Sequence, residues 1–498
     1  MIFVDEKIIW GEKMKLRKQY IPLLLFAALV IGFLGAYAGV KLAQPIATSE
    51  QAPVVNGDKQ DNDNEIETPE NMEKVVRAYH LIKDQYLEEV EGDLLLEGAI
   101  QGMLEVLDDP YSSYMDPEMN ARFTEQLESS FEGIGAEVSM VNGKVTIVAP
   151  IKDSPAERAG LRPNDQIVRI DDEEIDGLDL NEAVDIIRGE KGTEVVLSIQ
   201  RPGVSEIFKV PITRDEIPLE TVYVDTESIE GKLTGIITIT SFAENTAKDF
   251  INELEQLEKD GIEGLVIDVR GNPGGLLNIV EDILSEFIPK DLPYIQIEDQ
   301  QGNKDPFYSK LTKEKEYPIS VIIDEGSASA SEILAIALKE LGHDVVGMTS
   351  FGKGTVQNAV PLGDGSTIKL TFYKWLSPKG AWIHEKGVEP TVEVKQPDYF
   401  YTHPIQIDEP LSYNHAGEKI ENVQQMLKGL GYNIERVDGY FDEATVEATK
   451  AFQKDNDLEA TGAIDETTAG LIEAKVIEKI RSGEDDQQLE EALNNLYK

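Results

Sequence analysis

Cysteine is absent from the 498 residues of this chain. Its absence excludes disulfide bonds, zinc sites with thiolate ligands and a cysteine nucleophile. Histidine is scarce as well, and its five positions lack the HxxxH spacing with which a helix binds a metal ion: His80, His343, His384, His403 and His415. We therefore predict no metal site, and no cofactor is expected.

Basic residues are also few compared with acidic ones. The chain has 46 Lys and Arg residues and 94 Asp and Glu residues, which gives a formal net charge of -48 at pH 7. A surface of this sign repels the phosphates of nucleic acids, so no nucleic-acid partner is expected. Hydrophobic residues make up 41% of the chain. At this length they can form several cores, which indicates two to four domains.

An uncharged run near the N-terminus, from Tyr20 to Val40, is long enough to span a bilayer, and basic residues precede it. We predict that residues 1–19 are cytoplasmic and that residues 20–42 form a transmembrane signal-anchor. The protein would then cross a bacterial cell membrane once, with the rest of the chain outside the cytoplasm. A cleavable signal peptide is the alternative, because the Ala-Tyr-Ala at 36–38 resembles a cleavage site.

The remaining sequence changes character several times, which predicts a multidomain α/β protein. Strands alternate with helices in its largest part, whereas its last domain is all-α. In chain order, the predicted parts are a disordered acidic linker (43–70), an N-terminal helical dimerisation segment (71–118), a small β/α module (119–205), an α/β core (206–395), a linker (396–416), a small helical domain (417–480) and an acidic tail (481–498).

The small β/α module carries a Gly-x-Gly sequence just before a strand. Backbone N–H groups in such a loop can bind a carboxylate, although a tight turn alone also explains the glycines. The order GIGAEV, SPAERAGLRPNDQIVRIDDEEI and NEAVDIIRGEKG resembles a PDZ domain. That resemblance implies that protein C-termini bind between a strand and a helix, at Gly133, Ile134, Gly135, Ala136, Val184 and Arg188.

Two segments of the α/β core suit the chemistry of acyl transfer. The sequence IDVRGNPGG (267–275) ends a strand in a turn whose backbone amides can form an oxyanion hole. The sequence GSASASEI has Ser327, Ser329 and Ser331 between a strand and a helix. A serine at this place usually caps the helix, so each of the three is either a cap or a nucleophile.

A serine nucleophile needs a base, and Lys353 in SFGKGTVQ is the candidate. An ammonium group with a pKa of about 10.4 must be desolvated before it can act as a base near neutral pH. If residues 354–360 form a strand, Gln357 lies on the same face as Lys353 and can orient its amine. Asp324 and Glu325 are the acids expected to raise the pKa of this lysine.

Two other motifs overlap this segment. Gly347-x4-Gly352-Lys353 differs from a phosphate-binding P-loop at one position, because Gly354 replaces the required Ser or Thr. Ser350-x-x-Lys353 has the spacing of penicillin-binding enzymes, which requires a helix that the flanking glycines disfavour. We therefore reject a nucleotidase and a helical Ser-x-x-Lys enzyme.

The motifs GIGAEV, NPGG, SASASEI and FGKGTVQ occur in the order typical of carboxyl-terminal processing (tail-specific) peptidases, which this chain resembles over residues 75–395. The resemblance implies that Ser329 is the nucleophile, Lys353 the general base and Gln357 the group that orients it. It also implies an oxyanion hole formed by Gly274 or Gly275 together with Ala330.

The last domain, with NVQQMLKGLGY and TGAIDETTAGL, resembles a peptidoglycan-binding helical repeat, which implies peptidoglycan as a partner. Together these features predict a membrane-anchored, homodimeric serine endopeptidase that cleaves proteins presented by their C-terminal tails. Tail binding to the PDZ domain would gate activity, with Arg188 as a latch. The alternative is a non-catalytic scaffold that binds tails and the cell wall.

Overall fold

The computed structural model describes residues 71–141, 143–171, 173–202, 204, 206–405, 407 and 409–498. The predictions of a cytoplasmic N-terminus (1–19), a signal-anchor (20–42) and an acidic linker (43–70) lie outside these residues.

The predicted fold class included a transmembrane helix, and the predicted location was single-pass in a membrane. None of the helices in the described part of the chain is long and apolar enough to cross a bilayer. The longest, Glu466–Arg481, has 16 residues and a largely polar surface. The fold class is therefore corrected to a multidomain α/β architecture without such a helix among the described elements, and the single-pass location is not supported.

The N-terminal segment consists of three helices and a short strand: α1 (Met72–Gln85), α2 (Gly92–Glu105), β1 (Ser113–Met115) and α3 (Pro117–Leu127). Asp116 caps the N-terminus of α3, where its carboxylate accepts the Met119 N–H at 2.8 Å, and Pro117 occupies the first helical position. None of the three helices has a fully buried residue. This segment therefore exposes apolar side chains that its own fold does not cover.

The predicted PDZ module follows as a sheet with two helices: β2 (Ser130–Gly133), β3 (Ala136–Val141), β4 (Lys144–Pro150), α4 (Pro155–Arg158), β5 (Gln166–Ile170), β6 (Glu173–Glu174), α5 (Leu180–Ile187), β7 (Glu194–Gln200), β8 (Phe208–Thr213) and β9 (Asp215–Pro218). The strand order is β3-β4-β5-β7-β8, so β3 is an edge strand. Strand β2 pairs with β9. Because β8 belongs to this sheet, the module extends beyond the predicted boundary at residue 205.

The α/β core contains two sheets and three helices: β10 (Val222–Ile229), β11 (Lys232–Ile239), α6 (Thr246–Asp260), β12 (Gly264–Asp268), α7 (Leu277–Leu284), β13 (Pro293–Glu298), β14 (Lys304–Tyr308), β15 (Ile319–Ile323), α8 (Ala330–Leu341), β16 (Asp344–Gly347), β17 (Thr355–Pro361), β18 (Thr367–Leu376) and β19 (Val392–Glu393). The central sheet has the order β10-β11-β12-β15-β16-β19. The second sheet contains β1, β18, β13, β14 and β17.

Strands β11, β12, β15 and β16 are parallel neighbours. Every residue of β12 and β15 is buried, which explains their uninterrupted apolar sequences. Because parallel strands share one carboxyl edge, the loops after β12, β15 and β16 begin side by side. Those loops are the Asn-Pro-Gly-Gly turn, the three-serine segment and the lysine segment, and the sheet thus brings the candidate site together.

The C-terminal region is a three-helix domain preceded by a 3₁₀ helix: Asp398–Tyr401, α9 (Glu418–Gly429), α10 (Glu443–Asp455) and α11 (Glu466–Arg481). Its core includes Phe441, Phe452 and Ile472, and Tyr399 and Ile405 of the predicted linker pack into it. The 396–416 stretch therefore belongs partly to this domain rather than being only a linker.

The stretch predicted as an acidic tail (481–498) contains a further helix, α12 (Gln487–Asn495). Ala492, Leu493 and Leu496 pack on the face of the central sheet opposite α8. They cover four strand residues, which are Ile236, Val266, Ile322 and Val346. The acidic residues of α12 face solvent, so the helix is amphipathic and completes the protease core.

Candidate active site

Ser329 lies at the N-terminus of α8. It belongs to the three-serine segment after β15 (residues 324–331), which we call the serine loop. Its φ of 54° and ψ of -111° are unusual for a residue with a side chain, and such a conformation costs about 1–3 kcal/mol. Strain of this kind persists only where surrounding contacts enforce it. Ser329 is half-buried, so its hydroxyl is the exposed one among the three serines.

The two neighbouring serines are part of the scaffold. Ser327 is fully buried, and its hydroxyl donates to the Val269 carbonyl at 2.8 Å. Ser331 is also fully buried, and its hydroxyl donates to the Asn272 carbonyl at 2.9 Å. Both bonds fasten the serine loop to the turn after β12. The alternatives left open by the sequence therefore separate, with Ser327 and Ser331 in structural roles.

The Asn-Pro-Gly-Gly turn packs directly against Ser329. A Cβ atom at Gly274 would lie 2.8 Å from the Ser329 Cβ, and one at Gly275 would lie 2.3 Å from the Phe242 carbonyl oxygen. Both residues have positive φ, at 104° and 148°. Glycine is required at both positions because no side chain fits and because L-residues avoid this conformation.

The predicted oxyanion hole combines the Ala330 amide with that of Gly274 or Gly275, and the structure distinguishes these candidates. The Gly274 N–H donates to Asn272 Oδ1 at 2.9 Å. Ala330 is the first residue of α8, so its N–H has no acceptor within the helix. The Gly275 N–H has no acceptor among the residues that the structure describes. The two free amides are thus those of Gly275 and Ala330.

Lys353 lies in the irregular segment between β16 and β17 and is half-buried. Burial lowers the pKa of its amine, and the positive charge of Lys369 lowers it further. Glu332 and Asp109 raise this pKa without reversing the net shift. The amine lies 5.3 Å from the centre of the Tyr111 ring, which forms one wall of its surroundings.

The acids that act on Lys353 differ from the predicted pair, Asp324 and Glu325. The Asp324 carboxylate instead accepts the N–H groups of Gly271 and Gly326 at 2.8 and 3.0 Å. It therefore orders the loops around the nucleophile candidate. The negative charges near the lysine come from Glu332 on α8 and Asp109 in the N-terminal segment.

The predicted catalytic side chains lie close to one another in the fold, but hydrogen bonds do not join them here. No hydrogen bond joins Ser329 Oγ to the Lys353 amine in the described part of the chain, and none joins that amine to Gln357. The Gln357 Nε2 donates to Thr355 Oγ1 at 2.9 Å and to Thr371 Oγ1 at 3.0 Å. A bulge between Val356 and Gln357 alters the regular strand pairing assumed for β17.

The predicted peptide-binding residues of the PDZ module surround one loop and one helix. Gly135, with φ of 72°, leaves no space for a side chain beside Ser154. Ile134 is buried next to it, Gly133 ends β2, and Ala136 begins the edge strand β3. Val184 lies half-buried on α5.

Arg188, at the end of α5, points to the N-terminal segment. Its guanidinium donates to both carboxylate oxygens of Glu125 on α3 at 2.7 Å and lies 5.1 Å from the centre of the Phe131 ring. Both bonds come from one nitrogen of the guanidinium, Nη1, so the contact is a charge-assisted hydrogen bond shared between the two carboxylate oxygens. It joins the PDZ helix to α3.

Three residues of the site were missed by the sequence analysis, namely Glu332, Asn272 and Tyr111. Glu332 is fully buried and accepts the Ser329 N–H at 2.8 Å. Its sequence signal is the Ser-x-x-Glu spacing of a helix capping box. The side chain of Asn272 donates to the Ile239 carbonyl and accepts the Gly274 N–H. Tyr111 lies in the DPYSSYMDP stretch (109–117), which resembles the same family, but its proximity to a lysine more than two hundred residues away depends on the fold.

Comparison with known families divides the chain in agreement with this architecture. The profile of peptidase family S41 matches residues 233–394, and that of the PDZ domain matches residues 146–201. A putative peptidoglycan binding domain matches residues 416–472. The N-terminal domain of the activating protease CtpB matches residues 29–119.

Whole-chain relatives agree with these domain matches. The carboxy-terminal processing protease CtpB of Bacillus subtilis is 50% identical over 97% of this chain and 100% of its own length. CtpA of the same organism, another carboxy-terminal processing protease, is 42% identical over 86% of this chain and 90% of its own. Among solved structures, the photosystem II D1 C-terminal processing protease is 27% identical, with a TM-score of 0.41 over 66% of this chain and 94% of that one. The extent and level of the two Bacillus matches show that this chain belongs to the carboxy-terminal processing serine proteases of peptidase family S41.

Proposed function

We propose that this protease uses Ser329 as its nucleophile and Lys353 as its general base. The observation that carries the proposal is the half-buried lysine, whose pKa is lowered chiefly by desolvation. A lysine accepts a proton from a hydroxyl only in its neutral form, which desolvation favours. Ser329 is supported as the nucleophile because the hydroxyls of Ser327 and Ser331 already donate to backbone carbonyls.

The proposed reaction follows from these roles. Ser329 Oγ bonds to the peptide carbonyl carbon while its proton passes to the Lys353 amine. The resulting ammonium gives that proton to the departing amine nitrogen as the C–N bond breaks, which leaves an ester on Ser329. Water, deprotonated by the same amine, then hydrolyses the ester. The Gly275 and Ala330 N–H groups stabilise the negative oxygen that forms in both steps.

Gln357 is proposed to hold the neutral lysine in place. Its Nε2 is already fixed by two threonine hydroxyls. The side chain is therefore oriented by its surroundings, and its Oε1 is available to accept a hydrogen bond from the amine. Because the lysine amine forms no hydrogen bond with Gln357 or Ser329 here, the proposed active arrangement requires the lysine side chain to move.

We propose that substrate tails bind the PDZ module by adding a strand to the edge of β3, with the terminal carboxylate at the 133–136 loop. The Arg188–Glu125 contact then supports a gating role, since it joins the tail-binding helix to the segment that carries Tyr111 toward the lysine. A tail that displaces this contact would favour a different placement of the module.

A pair of arginine variants tests the gate. In Arg188→Ala we expect higher peptidase activity without a tail peptide and little further activation by one. Arg122→Ala is the matched control, because Arg122 bridges α3 and Asp185 of α5 through an exposed ion pair. Activation by a tail peptide that is the same in Arg188→Ala as in the unaltered protein would remove Arg188 from the mechanism.

We propose peptidoglycan as a partner of the last domain. A protease that binds the cell wall would be close to protein substrates outside the cytoplasm. Sedimentation of the protein with purified cell walls tests this partner, and failure to co-sediment would remove it.

We also propose a homodimer formed by α1 and α2. These helices leave apolar side chains uncovered, among them Val76 at 51%, Leu81 at 65% and Leu94 at 60% exposure. A second copy offers the same apolar surface and can cover it by symmetry. Light scattering is expected to show dimers that dissociate in Leu81→Lys and persist in Asp84→Lys on the same helix.

The central experiment for the catalytic proposal is digestion of an unfolded protein that ends in an apolar tail. Ser329→Ala is expected to abolish cleavage, and Lys353→Ala is expected to lower kcat by about 10²–10⁴-fold. Ser327→Ala is the control for Ser329 and should retain the chemical step. Substantial cleavage by Ser329→Ala or Lys353→Ala would overturn the proposal.

A further inference from the structure

One carboxylate connects the two residues of the proposed reaction. Glu332, in the first turn of α8, has no solvent-exposed surface. Its Oε2 accepts the N–H groups of Ser329 and Lys353, each at 2.8 Å. A single oxygen atom thus bridges the backbone of the nucleophile and the backbone of the base.

The second oxygen of Glu332 fixes the lysine segment further. Oε1 accepts the Ser350 hydroxyl and the Gly352 N–H, each at 2.6 Å. Ser350 Oγ in turn accepts the Val388 N–H at 2.7 Å. Residues 350–354 form no helix or strand, so these contacts replace the backbone pairing that would otherwise order the segment.

Both oxygens of the buried carboxylate are paired with hydrogen-bond donors. Four donors surround its two oxygens, and the N-terminus of α8 adds the positive end of the helix dipole. Loss of the carboxylate would leave three backbone N–H groups and a hydroxyl without their acceptor in a buried site.

We propose that Glu332 is a positioning residue of this protease, which sets the distance between Ser329 and Lys353 by holding both backbones with one carboxylate. The proposal rests on the catalytic roles proposed above for those two residues. Glu332 does not contact the substrate or exchange a proton. It acts through the placement of the nucleophile and the base.

The position of Glu332 has an electrostatic consequence that distinguishes it from a purely structural residue. Its negative charge raises the pKa of Lys353, in opposition to burial and Lys369. A neutral side chain at position 332 should therefore lower the pKa of the lysine while disturbing its placement. A residue needed only for folding would leave that pKa unchanged.

The test compares Glu332→Gln with Glu340→Gln in the full chain. Glu340 lies on the same helix, where its carboxylate accepts the Ser377 hydroxyl and the Lys379 N–H, each at 2.7 Å, away from Ser329. For Glu332→Gln we expect kcat to fall by about 10- to 100-fold with little change in KM. We also expect the acid limb of the pH profile of kcat/KM to move to lower pH, whereas Glu340→Gln should show neither effect.

Two outcomes contradict the proposal. One is a Glu332→Gln enzyme whose kcat and acid limb match those of the unaltered protein. The other is a decrease in kcat that Glu340→Gln shows to the same extent.

If Glu332→Gln does not fold, Ser350→Ala tests the proposal instead, because it removes one hydrogen-bond donor to Glu332 and keeps the carboxylate. It should lower kcat at unchanged KM and unchanged acid limb, and an unaltered kcat would contradict the proposal. Activity retained by Ser329→Ala or Lys353→Ala would instead refute the catalytic roles themselves.

Discussion

At the scale of single residues, the site depends on the charges around one half-buried lysine, Lys353. Burial and Lys369 lower the pKa of Lys353, while Glu332 and Asp109 raise it. The sequence indicated the lysine and the need for desolvation. It did not indicate which charges surround the amine, because those come from a helix, another strand and the N-terminal segment, whose proximity depends on the complete fold.

Lys369 provides a direct test of this balance. Replacement by Met removes a positive charge, so the pKa of Lys353 should rise and the acid limb of the pH profile of kcat/KM should move to higher pH. Activity near neutral pH should fall accordingly. Lys374→Met on the same strand is the control, because Lys374 forms an ion pair with Glu298 at 3.4 Å. An unchanged acid limb in Lys369→Met would contradict the expected coupling.

A second titrating residue, Glu281 on α7, is expected to affect stability. It is 8% exposed, and burial, with a smaller contribution from Asp282, raises its pKa to about 7. Its Oε1 has no hydrogen-bond partner in the described part of the chain. Since the folded pKa exceeds the unfolded value, the folded state loses stability as pH rises from the unfolded pKa through about 7.

Glu281→Gln should remove this dependence. Well above pH 7 the variant is expected to exceed the unaltered protein in free energy of unfolding by up to roughly 3 kcal/mol, and near the unfolded pKa the difference should vanish. Denaturant unfolding across this pH range measures it. Glu253→Gln, on an exposed face of α6, serves as the control. A difference that does not vary with pH would contradict the expected titration.

At the scale of elements, the site is built from three loops at one edge of a parallel sheet. Alternating strands and helices predicted an α/β core, and the motifs predicted which loops matter, but the shared edge became visible only in the structure. The exact contact between the Gly274 turn and Ser329 was not predictable, because it depends on close approach of segments 55 residues apart in sequence. The bulge in β17 was equally hidden, since it arises from pairing with β18.

The close approach of Gly274 and Ser329 makes its own prediction. In Gly274→Ala the new methyl group would lie 2.8 Å from the Ser329 Cβ, so the serine loop must shift and kcat should fall by about 100-fold. Gly261→Ala is the control, because Gly261 also has positive φ but open space around it. Equal effects of the two substitutions on kcat, measured with a peptide substrate, would contradict a specific role for the turn.

At the scale of the whole molecule, the three-helix domain is inserted between β19 and α12 of the protease core. An ion pair between Arg270 and Asp486, at 2.8 Å, anchors the start of α12 beside the turn that leads to Gly274. The sequence showed the separate domain but not the returning helix. Its apolar residues are few, its composition is acidic, and the strands it covers lie more than a hundred residues earlier.

Leu493 tests whether α12 belongs to the protease core. It is 5% exposed against the central sheet, so Leu493→Ala should lower the free energy of unfolding by about 2–5 kcal/mol. Amide hydrogen exchange should accelerate in β12, β15 and β16, with no change in α9 to α11. Glu490→Ala on the exposed face of α12 is the control. Faster exchange confined to the three-helix domain would contradict this assignment.

The most direct test of the account is the site and rate of labelling by a serine-directed fluorophosphonate, mapped by mass spectrometry as a function of pH. We expect one adduct, on Ser329, whose rate of formation rises with the deprotonation of a group whose pKa lies below that of an exposed lysine. That dependence should disappear, and the rate should fall, in Lys353→Ala. An adduct on Ser327 or Ser331, or an unchanged rate in Lys353→Ala, would contradict the account.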